Sequence, residues 1–340
     1  MNKTPFLSKE PSPTEWALSV IQRVGEVAAG SAWGRAALRA ALRAWASTCK
    51  APGYLYQVIE AYGPALAEGV RLPSRLPDGS WIECDLRDFI ERQVYYRGAY
   101  EPIEAYLFTR LVRPGWTVVD AGANVGQYTL LAASRVGPTG MVYGFEPVPA
   151  NFARLEAHLR DNRVTNVRAS RLALWHEPGE VRLGLTADAV GNAGLFSVGT
   201  SASSMVTAPA EPFDAFAERV GIGRVDLVKM DIEGAEWAAL RGMRRTFDRD
   251  RPLLLMEVSR YTCGLLGYDP QEFWNLLGES LGYTAWAVNS SAVDWRRLPS
   301  AEGVDLAANV LFTPGPLPPE IAAGWTTKSC YRWAKGTDHS

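Results

Sequence analysis

Cysteine is scarce in this chain. Its four, Cys49, Cys84, Cys263 and Cys330, include no C-x-x-C pair, so neither a zinc knuckle nor a redox dithiol is indicated, and the thin usage fits a reducing compartment. Histidine is scarcer still, with three residues, and no His/Asp cluster carries metal-ligand spacing. No apolar run reaches about 18 residues, so no transmembrane helix is expected. The first residues, Met1 to Pro13, hold three prolines and mixed charge where a signal peptide would have an apolar core. A cytoplasmic protein is expected. An excess of one charge sign is also missing. Lys and Arg number 35 against 37 Asp and Glu, a net charge of −2, which argues against wholesale nucleic-acid binding but says nothing of a local patch. At 340 residues, 47% hydrophobic, the chain suits one large or two modest soluble domains without internal repeats.

What is present centres on Val118-Val119-Asp120-Ala121-Gly122-Ala123-Asn124-Val125-Gly126-Gln127-Tyr128. An apolar run ends at an acid, a glycine-punctuated turn follows, and a helical pattern begins. This strand–loop–helix unit presents free backbone N–H groups to a ligand. A second run, Met141 to Phe145, ends at Glu146, an acid placed to accept hydrogen bonds from ribose hydroxyls. The loop is not the dinucleotide fingerprint. Asn124 stands where the second glycine of G-x-G-x-x-G belongs, and the spacing is D-x-G-x-x-x-G. An adenosine ligand without a pyrophosphate fits, and S-adenosylmethionine is the candidate.

In chain order, residues 1–13 read as a disordered leader. Helices are expected over Thr14–Lys50, broken near Gly30-Ser31, and over Tyr54–Glu68, forming a cap or dimerisation element. Arg35, Arg39 and Arg43 share one helical face, either a surface for a membrane or acidic partner or a solvated face of a packed helix. A hairpin turns at Asp78-Gly79. Beyond the two strands above come a helix Ala150–Asn162, a strand Asn166–Leu174, a short strand Glu180–Leu185, and an unpatterned stretch 186–212 that suggests a lid or recognition loop. Buried strands Val225–Met230 and Leu253–Met256 end at Asp231 and Glu257. Strands Tyr283–Val288 and Asn309–Phe312 complete the set, with a polar tail from Pro314. Residues 1–75 are thus a leader and helical cap, 76–313 the catalytic domain, and 314–340 a tail. Alternating helices and continuously apolar strands mean a Rossmann-like α/β sheet covered on both faces, with Asp120, Glu146, Asp231 and Glu257 on its ligand-binding rim.

The chain resembles the FkbM-type S-adenosylmethionine-dependent methyltransferases. The residues that carry the likeness are Arg97-Gly98-Ala99-Tyr100-Glu101-Pro102, Asp120 to Gly126, Phe145-Glu146-Pro147, Asn192-Ala193-Gly194 and Val228-Lys229-Met230-Asp231-Ile232-Glu233-Gly234-Ala235-Glu236. The Lys-x-Asp-x-Glu-Gly-x-Glu block is the more distinctive. The resemblance implies a class I seven-stranded sheet with its last strand antiparallel. It also implies O-methylation of a hydroxyl on a sugar, polyketide or other secondary metabolite.

Residue roles follow. Gly122 and Gly126 let the loop approach the cofactor, with Ala123 and Asn124 between them, and Asn124 contacts its amino-acid moiety. Asp120 orients the loop or receives the ammonium group. Glu146 takes the ribose hydroxyls, Val148 lies on the adenine face beside Pro147, and Glu101 belongs to the same set. Asp231 is the first candidate for general base, with ammonium binding as its alternative. Glu233, Glu257 and His176 are further candidates, whereas Glu236 reads as a helix cap. Trp175, Trp237, Trp286 and Trp295 line an acceptor pocket or pack in the core. No metal is expected, although Asp231 and Glu233 could hold a hard cation with water's help. The competing functions are a nucleic-acid or N-methyltransferase, and a non-catalytic scaffold acting through its N-terminal helices, where a homo-oligomer would also form.

Overall fold

The computed structural model describes residues 30–48, 56–59, 66–67, 69–186, 193–194, 202–288, 295–304, 306–322 and 327–336. The expected leader, the helix before Gly30 and much of that over Tyr54–Glu68 lie outside these residues, as do Asn192 and parts of the 186–212 stretch.

The break read at Gly30-Ser31 is a helix start. Ser31 caps α1 (Ala32–Ser47), its hydroxyl accepting from the Gly34 N–H. Leu42 and Ala46 bury one side of α1. On its row of arginines, Arg43 lies over the Tyr95 ring and Arg39 donates to the Leu66 carbonyl, so these two belong to packing. The hairpin follows as β1 (Arg71–Arg75) and β2 (Trp81–Asp85), with Gly79 at φ +92° in the turn. Then come α2 (Phe89–Arg97) and α3 (Pro102–Leu111).

The body runs β3 (Thr117–Ala121), α4 (Gln127–Val136), β4 (Met141–Phe145), α5 (Pro149–Asp161), β5 (Val167–Ser170), β6 (Ala173–Leu174), β7 (Gly179–Thr186), β8 (Ala193–Gly194), β9 (Ala202–Glu211), α6 (Phe213–Val220) and β10 (Leu227–Met230). It continues through α7 (Glu236–Gly242), α8 (Arg244–Asp250), β11 (Leu253–Ser259), α9 (Arg260–Leu266), a π-helical segment Trp274–Ser280, β12 (Thr284–Ala287), β13 (Ala307–Thr313), α10 (Pro319–Ala322) and α11 (Thr327–Ala334).

Seven strands form the central sheet in the order β12-β13-β11-β10-β3-β4-β5. Neighbours from β11 to β5 are parallel, and β13 is antiparallel to both of its neighbours, the class I methyltransferase arrangement. Both faces are covered, which is why the strands are apolar throughout. Val118, Val142, Leu227, Leu255 and Leu311 pack on one face. Val119, Tyr143, Val228, Leu254 and Phe312 pack on the other. From β3 the chain winds outward to β5, then crosses back to β10 on the opposite side of β3. The switch point therefore lies between the ends of β3 and β10, where Gly122 and Asp231 meet.

Three expectations are corrected. The strand read over Asn166–Leu174 is two strands in different sheets, β5 in the central one and β6 in a second sheet of order β6-β9-β7-β8. The stretch read as a loop over 186–212 contains β9, paired antiparallel with β7 from Gly179↔Ala210 to Thr186↔Ala202. The polar tail holds two helices, and α11 packs on α3 with Cys330 and Ala334 buried. There the Tyr331 hydroxyl pairs with Arg97, and Gly98 abuts the end of α11 so closely that a Cβ would lie 1.8 Å from the Ala334 carbonyl oxygen.

Candidate active site

The glycine loop is tied to the neighbouring strand by its own backbone. Gly122 and Ala123 N–H groups both donate to the Phe145 carbonyl, at 3.0 and 2.9 Å. Gly122 has φ +85°, and a Cβ there would lie 1.9 Å from the Asp231 carbonyl oxygen, so only glycine lets the ends of β3 and β10 touch. Asn124 is left-handed at φ +49°, and its N–H donates to Glu146 Oε2 at 2.8 Å. Val148 N–H donates to Oε1 of the same carboxylate, also at 2.8 Å. The Asn151 side chain also bonds this carboxylate, which as an acceptor of about four hydrogen bonds keeps capacity for a ribose hydroxyl. Burial pushes the Glu146 carboxyl up to about 7 against these two N–H groups, which favour its charged form.

A cavity open to solvent lies beside this loop. Gly122, Ala123, Asn124, Glu146, Pro147 and Asp231 line it, and so does Glu233. Its far wall is the second sheet, through Val181 and Leu183, together with Leu172 to Trp175. An adenosyl ligand fits these residues. There are acceptors at Glu146, a loop stripped of a Cβ at Gly122, and apolar surface opposite.

Several assigned residues sit elsewhere. Val148 does not line the cavity; it is buried with Ala173, Val181 and Leu183 in the core of the second sheet. Gly126 does not line it either, and its missing Cβ accommodates Leu155 of α5, whose Cδ1 would be 2.7 Å away. Asp120 is 1% exposed, lies outside the lining and accepts from the Thr129 hydroxyl of α4 at 2.5 Å. His176 is outside the lining, with Nε2 3.8 Å from Glu177. Of the four tryptophans only Trp175 reaches the cavity. Trp237 packs on Phe273, and the Trp286 and Trp295 indoles donate to Thr313 Oγ1 and the Ile321 carbonyl. Glu236 was read as a helix cap; its carboxylate instead accepts from the N–H groups of Ile232 and Gly234, in the turn that precedes its helix.

A second group gathers on the face of the sheet covered by α3 and α4. Lys229, 1% exposed in an otherwise apolar strand, reaches Asp231 Oδ2 at 3.1 Å and holds its ammonium 4.8 Å from the centre of the Tyr128 ring. Its strand neighbour on β3 is Asp120. Glu101, left-handed at φ +46° before α3, takes an amide hydrogen of Asn309 at 3.2 Å and faces the Tyr128 hydroxyl at 3.4 Å. Glu233 is left-handed too, at φ +50°. Three non-glycine residues in this conformation, Glu101, Asn124 and Glu233, surround one site, a pattern of local backbone strain typical of functional positions. Glu257 lies two residues inside β11, not at its tip, and stands opposite Asn309 of β13. Asp231, Glu233 and Glu257 each offer a carboxylate oxygen within 4.8 Å of the others. Burial and the neighbouring acids push Glu101 and Glu233 up to about 8 and Glu257 to about 9.

Sequence reasoning missed Lys229, Tyr100, Gln127 and Asn309 as site residues. Tyr100 and Gln127 both line the cavity and exchange two hydrogen bonds, Tyr100 N–H to Gln127 Oε1 at 2.8 Å and Gln127 Nε2 to the Tyr100 carbonyl at 3.0 Å. Lys229 did leave a signal, since a lone lysine in a doubly covered strand must be buried and paired.

The methyltransferase FkbM domain family model matches residues 120–285. "Methyltransferase 1" of Beauveria bassiana (strain ARSEF 2860) is 28% identical over 144 residues, 37% of this chain, which spans 57% of that relative's length. The 31-O-demethyl-FK506 methyltransferase FkbM of Streptomyces tacrolimicus is 27% identical over 217 residues, 54% of this chain and 79% of that one. A solved structure of methyltransferase FkbM from Methylobacillus flagellatus KT is similar at 18% identity and a TM-score of 0.38, over 66% of this chain and 55% of that one. Residues 120–285 are thus similar to the methyltransferase FkbM domain, and S-adenosylmethionine is the methyl donor.

Proposed function

We propose that the protein transfers a methyl group to a hydroxyl of a small molecule, a sugar, polyketide or similar secondary metabolite, in the cytoplasm. The observation that carries this reading is the carboxylate cluster of Asp231, Glu233 and Glu257 beside the glycine loop. Bound S-adenosylmethionine supplies an activated methyl on a sulfonium. The chain's task is then to align an oxygen with it and to receive a proton, and alignment alone supplies much of the rate.

Glu146 and the N–H groups of the loop hold the nucleoside end. Asp231, paired with Lys229, accepts the hydrogen bond of the acceptor hydroxyl. The proton passes into the cluster through Glu233, which faces the cavity and is a stronger base than an ordinary carboxylate. The apolar far wall, Val181, Leu183 and Trp175, suits an acceptor with hydrocarbon surface. A chain of net charge −2 with acids at the reacting end repels a polyanionic acceptor.

The test is incubation of the full chain with methyl-labelled S-adenosylmethionine and hydroxylated macrolides, glycosides and RNA. Label recovered as a methyl ether on the small molecules, and lost in Asp231→Asn, is the expected result. Label on RNA or on nitrogen overturns the assignment.

A further inference from the structure

Asn309 occupies an unusual position. It is directly opposite Glu257 in the antiparallel pairing of β11 and β13, so both side chains rise from the same face of the sheet. It is 8% exposed. Its Nδ2 donates to Glu101, while Oδ1, on the other arm of the amide, is buried without a hydrogen-bond donor. A buried carbonyl oxygen lacking a donor is costly, and one crowded by carboxylates more so. Next to it, Asp231, Glu233 and Glu257 bring three carboxylate oxygens within 4.8 Å of one another. Lys229 bonds only Asp231 of the three. Four oxygens of this kind, three anionic and one a neutral carbonyl, are the donor set of a hard divalent cation.

We propose that Asp231, Glu233, Glu257 and the Asn309 carbonyl form a binding site for a divalent cation of the Mg²⁺, Mn²⁺ or Ca²⁺ class. The cation neutralises the cluster and satisfies the orphaned oxygen. It also gives an acceptor hydroxyl a positive centre beside the cavity, which lowers that hydroxyl's pKa; with the cation bound, Glu233 is a ligand and the proton leaves to water instead of to Glu233, before the oxygen–carbon bond forms and the carbon–sulfur bond breaks. This last role rests on the methyltransferase reading; the binding site does not.

The experiment uses the full chain stripped with EDTA and exchanged into metal-free buffer without cofactor. Free Mn²⁺ is followed by electron paramagnetic resonance and heat by calorimetry. One Mn²⁺ per chain is expected, with proton release that varies with buffer ionisation heat. Glu257→Gln and Asn309→Ala weaken binding by about tenfold or more, Asn309→Asp restores it, and Glu272→Gln, at an exposed acid elsewhere, leaves it unchanged. Circular dichroism confirms that each variant is folded. A folded chain that takes up no Mn²⁺ at millimolar concentration, or binds it equally well in Glu257→Gln, overturns the proposal. S-adenosylmethionine binding by the stripped chain is measured in parallel. Cofactor binding without Mn²⁺ binding removes the cation site and leaves the methyltransferase reading intact. Mn²⁺ binding without cofactor binding does the reverse.

Discussion

Lys229 and Asp231 form an ion pair at the end of β10, Nζ to Oδ2 3.1 Å, in which the lysine side chain is 1% exposed and the aspartate side chain 25%. The lysine is thus the charge sealed inside, and the aspartate is the end that faces the cavity. Removing the sealed member leaves Asp231 and Asp120 without their counter-charge. Lys229→Met is expected to lose about 3 kcal/mol or more of unfolding free energy, within the range for one broken partner of a buried pair. Urea denaturation followed by tryptophan fluorescence checks it. An unchanged midpoint would mean the acids are neutralised by protons instead.

Cofactor affinity is expected to depend on Glu146. Burial raises its carboxyl to about 7, above the ordinary 4.5, so the group is largely protonated below neutrality. Ribose hydroxyls donate best to the charged form, so binding expels the proton and affinity rises as pH climbs through about 7. The folded chain also holds this proton more tightly than the unfolded one. This group's effect on stability is therefore most favourable at low pH and declines between about 4.5 and 7. Glu146→Gln should bind S-adenosylmethionine at least tenfold more weakly and with no pH slope from 6 to 8, as calorimetry would report.

The two glycines of the loop are expected to respond differently. At Gly122 an added Cβ meets backbone, the Asp231 carbonyl at 1.9 Å, and cannot be absorbed. Gly122→Ala should abolish cofactor binding and destabilise the chain by about 3 kcal/mol, combining a close clash with left-handed strain. At Gly126 the obstacle is the end of the Leu155 side chain, which can turn aside. Gly126→Ala should cost about 1–2 kcal/mol, mostly for its φ of +105°, and retain cofactor binding. Equal losses in both variants would contradict the division of labour drawn here.

Deleting residues 327–340 should uncover α3 and free Arg97 and Gly98, which lead directly into Tyr100 and Glu101. A fall in thermal midpoint of several degrees is expected, about 4 °C per kcal/mol at this chain length or less. Cofactor affinity should weaken with it, although no described residue of the tail lines the cavity. A truncated chain with unaltered affinity would show that α2 and α3 keep their place unaided.

How much of this could be read beforehand follows from how each element is buried. β3, β4, β10 and β11 are covered on both faces, so their apolar runs announced them, and the acids that end or follow three of them marked the rim. The second sheet was opaque for the opposite reason. β9 is Ala-Ser-Ser-Met-Val-Thr-Ala-Pro-Ala-Glu, small and mixed, and its strand character comes from pairing with β7. α11 has eight residues, too short for periodicity to stand out against a polar tail. Glu257 and Asn309 become neighbours only through strand pairing, which a linear reading does not supply. Glu236 was misread as a cap because its position at the start of a helix does not reveal that its carboxylate turns back to the preceding turn.

The contact between Arg97 and Tyr331 joins residues 234 positions apart. On the ribosome, the segment carrying Tyr100 and Glu101 therefore emerges long before the helix that seats it. The glycine loop and the ends of β3 and β4 can assemble before α11 is made, but the turn that leads into Tyr100 and Glu101 is seated only afterwards. A growing chain would thus form its cofactor loop before the neighbouring segment has the contacts that hold it in place.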